Sequence, residues 1–220
     1  MKTLLSWSSG KDSAWSLHIL RQDPNIEVVG LVTTLNAAFD RVAMHGVRRE
    51  ILEAQAEAAG LPLHVVELPW PCSNEDYEKR MGAFVSQALA AGVEAMAFGD
   101  LYLEDIRKYR EDKLSGTGLK PLFPLWLRDT RALADEMIAG GLETWVSVVD
   151  QKKLDASFAG RRFDASFLAD LPADVDPCGE NGEFHSCVTA GPMFSKAVSV
   201  ETGETVEREG FAFADLKLCH

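Results

Sequence analysis

The sequence predicts an α/β fold: a five-stranded parallel sheet with helices on both faces, followed by a smaller α+β unit. Three observations carry this. Short, β-branched apolar runs alternate with stretches whose apolar residues recur at helical spacing. The first run passes into the first helix through a hexapeptide of serines, glycine, lysine and aspartate. After Asp150 the alternation stops, and the chain becomes irregular and then strand-like.

Taken in order, Thr3–Trp7 reads as a buried strand and Ala14–Leu20 as a helix. Glu27–Leu35 is the second strand. Val47–Ala59 is a helix rich in Ala, Glu and Arg, stopped by Gly60 with Pro62 just beyond. Leu63–Leu68 is the third strand. Asn74 is suited to cap a helix over 75–91, ended by Gly92. Glu94–Gly99 is the fourth strand and Glu104–Leu114 the helix after it. Thr130–Ala139 is the next helix, with Gly140-Gly141 as its stop, and Thr144–Val149 is the fifth strand. Beyond an irregular stretch, Phe184–Thr189, Lys196–Val200 and Gly210–Leu218 read as antiparallel strands, with a turn at Thr202-Gly203. The expected division is 1–150 and 151–220, the second unit closing over the first.

At 220 residues the chain holds one good-sized domain or a domain and a half. A net charge of -12 disfavours nucleic acid, whose phosphates call for a basic face, and favours a small molecule or a protein side chain. No apolar run approaches the roughly 20 residues that span a bilayer, and Lys2 precedes only a short apolar stretch, so neither a membrane span nor a leader is expected. Cys72, Cys178, Cys187 and Cys219 form no CxxC pair. Free thiols in the reduced cytoplasm are the expectation.

The hexapeptide Ser8-Ser9-Gly10-Lys11-Asp12-Ser13 sits on a strand-to-helix turn. Unpaired amides at a helix N-terminus point at whatever lies there, and the helix dipole favours an anion. Lys11 adds a positive charge. Asp12 can accept from turn amides or help hold magnesium. The bland alternative is a serine-rich turn that only caps a helix. A Walker A loop is excluded, because Asp12 follows Gly10-Lys11 and no glycine stands five positions before Gly10. The string resembles the Ser-Gly-Gly-x-Asp-Ser signature of the PP-loop ATP pyrophosphatases, of the adenine nucleotide alpha-hydrolase superfamily. Ser9 stands at that family's first glycine, and a serine is tolerable there if the position does not need positive φ. The resemblance implies ATP cleaved between its α and β phosphates, a Rossmann-like (HUP-type) sheet of order 3-2-1-4-5, and a nucleotide at the carboxyl end of strand one. Ser8 to Ser13 would hold the phosphates. Thr33 and His45 are further candidate ATP contacts, and His45 with Arg48 is expected to reach the α phosphate.

Three other stretches carry chemistry. Gly99–Glu111 leaves the end of strand four: Asp100 is a candidate to bind magnesium or orient substrate, Arg107 and Arg110 to neutralise a phosphate or carboxylate, and Glu104 with Lys108 to form an ordinary surface pair. Pro121–Trp126 is too apolar for a free loop and is expected to bridge the two units, with Trp126 as core. In Asp176–Ser186, Gly179 and Gly182 permit an unusual path that presents Glu180, Asn181, Glu183 and His185 together. Two acids and an imidazole suit metal holding, amine recognition or proton transfer.

Together with Gly191–Lys196, these segments occur in the order seen in the diphthine–ammonia ligase family, which the chain resembles over nearly its whole length. That resemblance implies ATP-driven activation of a carboxylate, then amidation with ammonium: the last step of diphthamide synthesis on elongation factor 2, or the same chemistry on a related acceptor. It implies that Gly179, Glu180, Gly182 and Glu183 line the acceptor side. Lys11, Asp100, Glu183 and His185 are the candidate catalytic residues, Glu183 or His185 serving as the base or the ammonium holder. Asp12 and Asp100 are the candidate magnesium ligands. With no room for a glutaminase unit, free ammonium is the expected nitrogen source, and a homodimer is compatible with this reading. Rival readings are a nucleotide sensor without chemistry and a tRNA-modifying PP-loop enzyme, the latter disfavoured by charge and by the lack of a cysteine pair.

Overall fold

The computed structural model describes residues 1–38, 40–42 and 45–219. Met44, beside the candidate His45, and the tail residue His220 lie outside the described residues. Two sheets organise the chain. In the first, β1 (Lys2–Ser6) pairs in parallel with β2 (Glu27–Asn36) on one side and with β5 (Ala95–Ala97) on the other. A two-residue strand, β3 (Arg41–Val42), runs antiparallel to the end of β2. β4 (Leu63–Leu68) flanks β2, and β6 (Lys120–Leu122) flanks β5. The parallel run is therefore β4-β2-β1-β5-β6. The second sheet is antiparallel, in the order β8-β7-β10-β9, from β7 (Glu143–Asp150), β8 (Phe184–Ala190), β9 (Val200–Arg208) and β10 (Phe211–Leu218).

The predicted strand order is corrected at its fifth place. Thr144–Val149 is a strand, as its β-branched run predicts, but it lies in the second sheet as β7. The fifth place in the parallel sheet belongs to Lys120–Leu122, from the stretch read as a bridge. This edge position tolerates Pro121, which lacks an N–H for a second neighbour. The change of sheet falls between Leu122 and Glu143, ahead of the expected division at residue 150.

The helices are α1 (Lys11–Leu20), α2 (Arg49–Ala59), α3 (Asn74–Ala90), α4 (Glu104–Leu114), α5 (Thr130–Ala139) and the short α6 (Ala165–Asp170). The cap of α3 is Ser73, whose hydroxyl accepts from Asp76 N, so Asn74 is already inside the helix. Gly60 ends α2 with φ +65°, the left-handed cap that glycine adopts without steric cost. Side chains alternate across β1, and this splits the core. Leu5 faces one cluster, with Leu17, Leu31, Ile51, Leu52, Leu133 and Met137. Val146, Val149, Phe167 and Phe184 belong to that same cluster, so the second sheet docks on the first through continuous apolar contact. Leu4 faces the other cluster, with Val32, Val66, Val85, Met96, Phe98 and Leu114, under α3 and α4.

The predicted turn at Thr202-Gly203 is corrected too. The hairpin turns at Glu209-Gly210, where φ is +52° and +83°, and Thr202-Gly203 lies inside β9. The β9–β10 register shifts between Ala214 and Leu216, opposite Gly203 and Glu204. The glycine marks a bulge in the ladder, not its end.

Candidate active site

The loop Ser8–Ser13 leaves β1 at its carboxyl end and enters α1, as its sequence predicts. Ser13 Oγ donates to Gly10 O at 2.9 Å and lies 3.2 Å from Ser8 Oγ, so the loop is tied across its own mouth. Ser9 takes φ +67°. The position does need the left-handed conformation, so the condition under which a serine is cheap is not met, and a serine holds it there. It is fully buried, and its Oγ finds no hydrogen-bond partner. Gly99, at the end of β5, presses on the same loop: a Cβ there would lie 3.0 Å from Asp12 C and Ser13 N. That contact sets Asp100 beside Asp12.

The second sheet grips this loop from the other side. Val188 N donates to Ser9 O at 2.9 Å. Lys11 N, at the head of α1, donates to Ser186 Oγ at 3.1 Å. Gln55 of α2 is fully buried between them: its Nε2 donates to Val188 O at 2.7 Å and Ser9 O at 3.1 Å, while its Oε1 accepts from Trp7 Nε1 at 2.9 Å. Sequence reasoning missed Gln55. The available signal was a polar residue at i+4 from Ile51 and i−4 from Ala59, on the apolar face of α2.

Lys11 joins the two polar stretches that the sequence singled out. Its side chain is buried. Nζ donates to Asp12 Oδ2 at 2.8 Å and to the carbonyl of Cys178, and it lies 5.4 and 5.8 Å from the ring centroids of Phe184 and Phe163. Burial works against its charge, but Asp12, Cys178 and Glu180 outweigh it and keep the ammonium protonated. Lys11 thus reaches from the head of α1 into the Asp176–Glu183 loop.

That loop depends on Gly179, where φ is +70° and a Cβ would meet Phe184 O at 2.8 Å. Glu180 Oε1 accepts from Leu101 N at 2.8 Å and Tyr102 N at 3.4 Å, just past Asp100. Burial pushes the Glu180 carboxyl up to about 7, against the pull of those two amides. Glu183 is buried; Oε1 accepts from Asn181 Nδ2 at 3.1 Å and Asp176 N at 3.3 Å, and Oε2 has no partner. The rings of His185 and His45 lie against each other at a tilt of 41°, with centroids 4.5 Å apart. Burial, with Lys11 nearby, pushes His185 down to about 4. Burial and then His185 push His45 down to about 3. Both imidazoles are neutral at pH 7.

His45 and His185 open onto a cavity of about 910 Å³ that starts at Ser6–Ser8 and Thr33 and runs between α3 and α4, past Tyr77, Met81 and Tyr109 to Arg110 and Lys113. This volume suits a nucleotide-sized ligand. Arg110 stands 3.6 Å from Asp100 and over the ring of Phe98. Burial raises the Asp100 carboxyl, and Arg110 only partly counters this. Arg107 is elsewhere. Its guanidinium stacks on Phe123 and Trp126 at 4.8 and 4.7 Å and bonds Glu111. Trp126 is half-buried and serves as a platform for Arg107 rather than as core. Lys108 pairs with Asp112, not Glu104. Arg48 is committed as well: it makes a two-pronged contact with Asp215 of β10 at 3.0 and 2.7 Å, shared with Arg41.

Two family models match the chain. The diphthamide synthase N-terminal domain matches residues 1–121, and the diphthamide synthase C-terminal domain matches 129–218. The two matches meet where the chain leaves the first sheet. Among similar proteins, one named diphthine–ammonia ligase from Schizosaccharomyces pombe is 26% identical over 239 residues, covering 99% of this chain but only 39% of its own length. One of the same name from Danio rerio is 27% identical over 229 residues, covering 94% of this chain and 89% of its own length. The Homo sapiens protein of that name is 26% identical over 192 residues, covering 80% of this chain and 72% of its own. The phosphate loop and both family matches agree: the chain belongs to the diphthine–ammonia ligase family.

Proposed function

We propose that the protein is an ATP-dependent amide ligase that adenylates a carboxylate and then amidates it with ammonia. The observation that carries this reading is the reach of Lys11. It ties the phosphate loop at the end of β1 to the acidic loop that precedes β8, while Ser8, His45 and His185 nearby line a nucleotide-sized cavity. A binding-only sensor needs the loop and the cavity but has no use for a buried acid loop beside them.

In this reading Ser8, Ser9, Gly10, Lys11, Asp12 and Ser13 cradle the phosphates, and Thr33 and His45 line the nucleotide side. An oxygen of the substrate carboxylate attacks the α phosphorus, and the bond to the β phosphate's bridging oxygen breaks. Pyrophosphate leaves toward the α1 N-terminus. The acyl-adenylate is held between the two sheets, away from water. Ammonia attacks the acyl carbon and AMP departs. His185 and His45 stay neutral beside the nucleotide, and the Glu180 carboxyl, which burial holds at about 7, is the group suited to take a proton released from the nitrogen. Arg110, Gly179, Glu180, Asn181 and Gly182 border the acceptor path.

Among the described residues no set of three or more acids, histidines or cysteines is arranged to hold a metal. Yet Asp12 Oδ1 and Asp100 Oδ2 are buried carboxylate oxygens that accept no hydrogen bond, the second facing Arg110 Nε at 3.6 Å. Two such oxygens fit magnesium, which takes one or two carboxylates and completes its shell with phosphates and water. When bound, the ion would neutralise charge on the leaving pyrophosphate.

The names of the relatives suggest diphthine, a protein-borne carboxylate, as the acceptor. The test is phosphorus NMR of the purified protein with Mg-ATP, ammonium and diphthine-bearing elongation factor. AMP and pyrophosphate that appear only with acceptor, and vanish in Asp12→Asn, support the ligase. ADP and phosphate, or no turnover with tight ATP binding, refute it.

A further inference from the structure

The segment Gly191–Lys196 follows β8 and folds into a turn, with Phe194 N donating to Gly191 O at 3.0 Å. From there it caps a helix far away in sequence. The last four carbonyls of an α-helix find no partner within the helix. In α2, Gly60 N takes Glu57 O at 2.9 Å and Leu61 N takes Ala56 O at 3.1 Å, the local cap that a left-handed glycine provides. The other two carbonyls are met from elsewhere. Ser195 N and Oγ both donate to Ala58 O, at 2.7 and 2.9 Å, and Arg21 Nη2 donates to Ala59 O at 2.5 Å. Arg21 is the C-cap residue of α1, and its Nη1 donates to Met193 O at 2.8 Å, so the ends of α1 and α2 are tied to one segment. Lys196 pairs with Glu57 at 2.6 Å. Two cations at the end of α2 suit the helix dipole.

Gln55 stands one turn before this cap, and the segment reaches it a second way. Phe194 packs on Trp7, with ring centroids 6.2 Å apart and a tilt of 53°. Trp7 is 1% exposed, and its Nε1 donates to Gln55 Oε1 at 2.9 Å. That bond decides which way the Gln55 amide faces. With Oε1 toward Trp7, both Nε2 hydrogens are used, on Ser9 O and on Val188 O. Turned over, Oε1 would meet two carbonyls and Nε2 would meet an N–H. Ser9 needs this hold, because a serine at φ +67° persists only where its surroundings over-determine it.

We propose that Phe194 is a positioning residue for the phosphate loop, acting through Trp7 and Gln55, while Ser195 and Arg21 fix α2 along its axis. The segment sets the Ser9 carbonyl, and with it the direction of the loop's amides, from outside the cavity lining. The effect on nucleotide rests on the reading of Ser8–Ser13 as an ATP phosphate cradle; the path from Phe194 to Gln55 does not.

The experiment measures Mg-ATP binding to the full chain by calorimetry, in Phe194→Leu, Gln55→Leu and the double variant. Phe194→Leu should weaken binding about tenfold, as for the loss of one hydrogen bond to a charged group. The double variant should bind no more weakly than Gln55→Leu, because both changes act on one path. Unchanged binding in Phe194→Leu, or losses that multiply in the double variant, overturn the assignment. Proton NMR reads the same path without nucleotide. The Trp7 Nε1–H signal, identified by its loss in Trp7→Phe, should exchange with solvent about tenfold faster in Phe194→Leu. An unchanged exchange rate overturns the assignment as well. If the unaltered protein binds no ATP, the nucleotide reading falls, and the indole exchange alone decides whether Phe194 holds Gln55. Should Phe194→Leu fold poorly, Phe194→Met, whose side chain adapts more readily to the gap, takes its place with the same outcomes.

Discussion

The second sheet holds the first at two places, and the two are built differently. The inner one is buried: Gln55, Ser9, Val188, Ser186, Cys178 and the Lys11 ammonium group, mostly backbone hydrogen bonds around one charge. The outer one is a partly exposed charge cluster, Arg48 and Arg41 on Asp215. Both link the parallel sheet's loops to the second sheet. Only the inner one touches the phosphate loop. Burial makes its bonds stringent, because an abandoned partner cannot turn to water. The outer cluster fixes orientation and stays tolerant. Stability and catalysis should therefore respond together at the inner contact and separately at the outer one.

Lys11→Met should break the inner contact most severely. It strands Asp12 Oδ2 and the Cys178 carbonyl, at a cost of about 3 kcal/mol in urea denaturation, with loss of AMP formation. An unchanged midpoint would mean Lys11 is not the clamp. Gln55→Leu, similar in size, removes the Gln55 donor from Val188 O and from Ser9 O, which keeps Val188 N, and leaves Trp7 Nε1 without its acceptor; about 2 kcal/mol should be lost by the same measurement.

Acid should weaken the inner contact before the outer one. His45 and His185 are held at about 3 and about 4, against about 6.5 in an unfolded chain. In that window the unfolded chain binds more protons, so their stabilisation is complete above pH 6.5 and drains away as pH falls toward 4. Denaturation at pH 7, 6 and 5 should show the slope, and His45→Gln with His185→Gln should flatten it. Asp215 behaves differently. Arg48, partly countered by burial and helped by Arg41, depresses its carboxyl, so its contribution persists above the ordinary carboxylate range and is lost only as pH falls through its lowered value.

Asp215→Asn is the matching change at the outer contact. Half-exposed pairs give little, so roughly 1 kcal/mol is expected, shrinking in high salt, with adenylation rate unchanged. A rate loss equal to that of Lys11→Met would erase the distinction between the two contacts. Ser9→Gly should have the smallest effect and the opposite sign. It relieves a left-handed serine and a buried hydroxyl without a partner, and a gain of about 1 kcal/mol is expected with ATP binding retained. A loss instead would show that the Ser9 hydroxyl has a partner in the working protein.

Elements whose causes are local were legible in the residues alone. Glu104–Leu114 and Thr130–Ala139 run between the predicted residues, because spacing, caps and glycine stops act within a turn or two. The phosphate loop is equally local: Ser8–Ser13 needs only its own residues to turn from β1 into α1. Tertiary structure decided the rest. A β-branched run declares a strand but not its sheet, so Thr144–Val149 was legible as a strand and illegible as β7. Three residues holding a proline, Lys120–Leu122, give too weak a local signal, and β5 had to recruit them as an edge. Gly203 and Gly210 look alike in sequence; cross-strand register chose which one turns. Within the site, the sequence named Lys11, Glu180, Glu183 and His185 but not Gln55, and it read Arg48 and Arg107 as free cations. Their partners, Asp215 and the Phe123–Trp126 platform, lie far along the chain or across a loop. What a side chain can do is written in its chemistry, but which group it meets depends on burial and long-range packing.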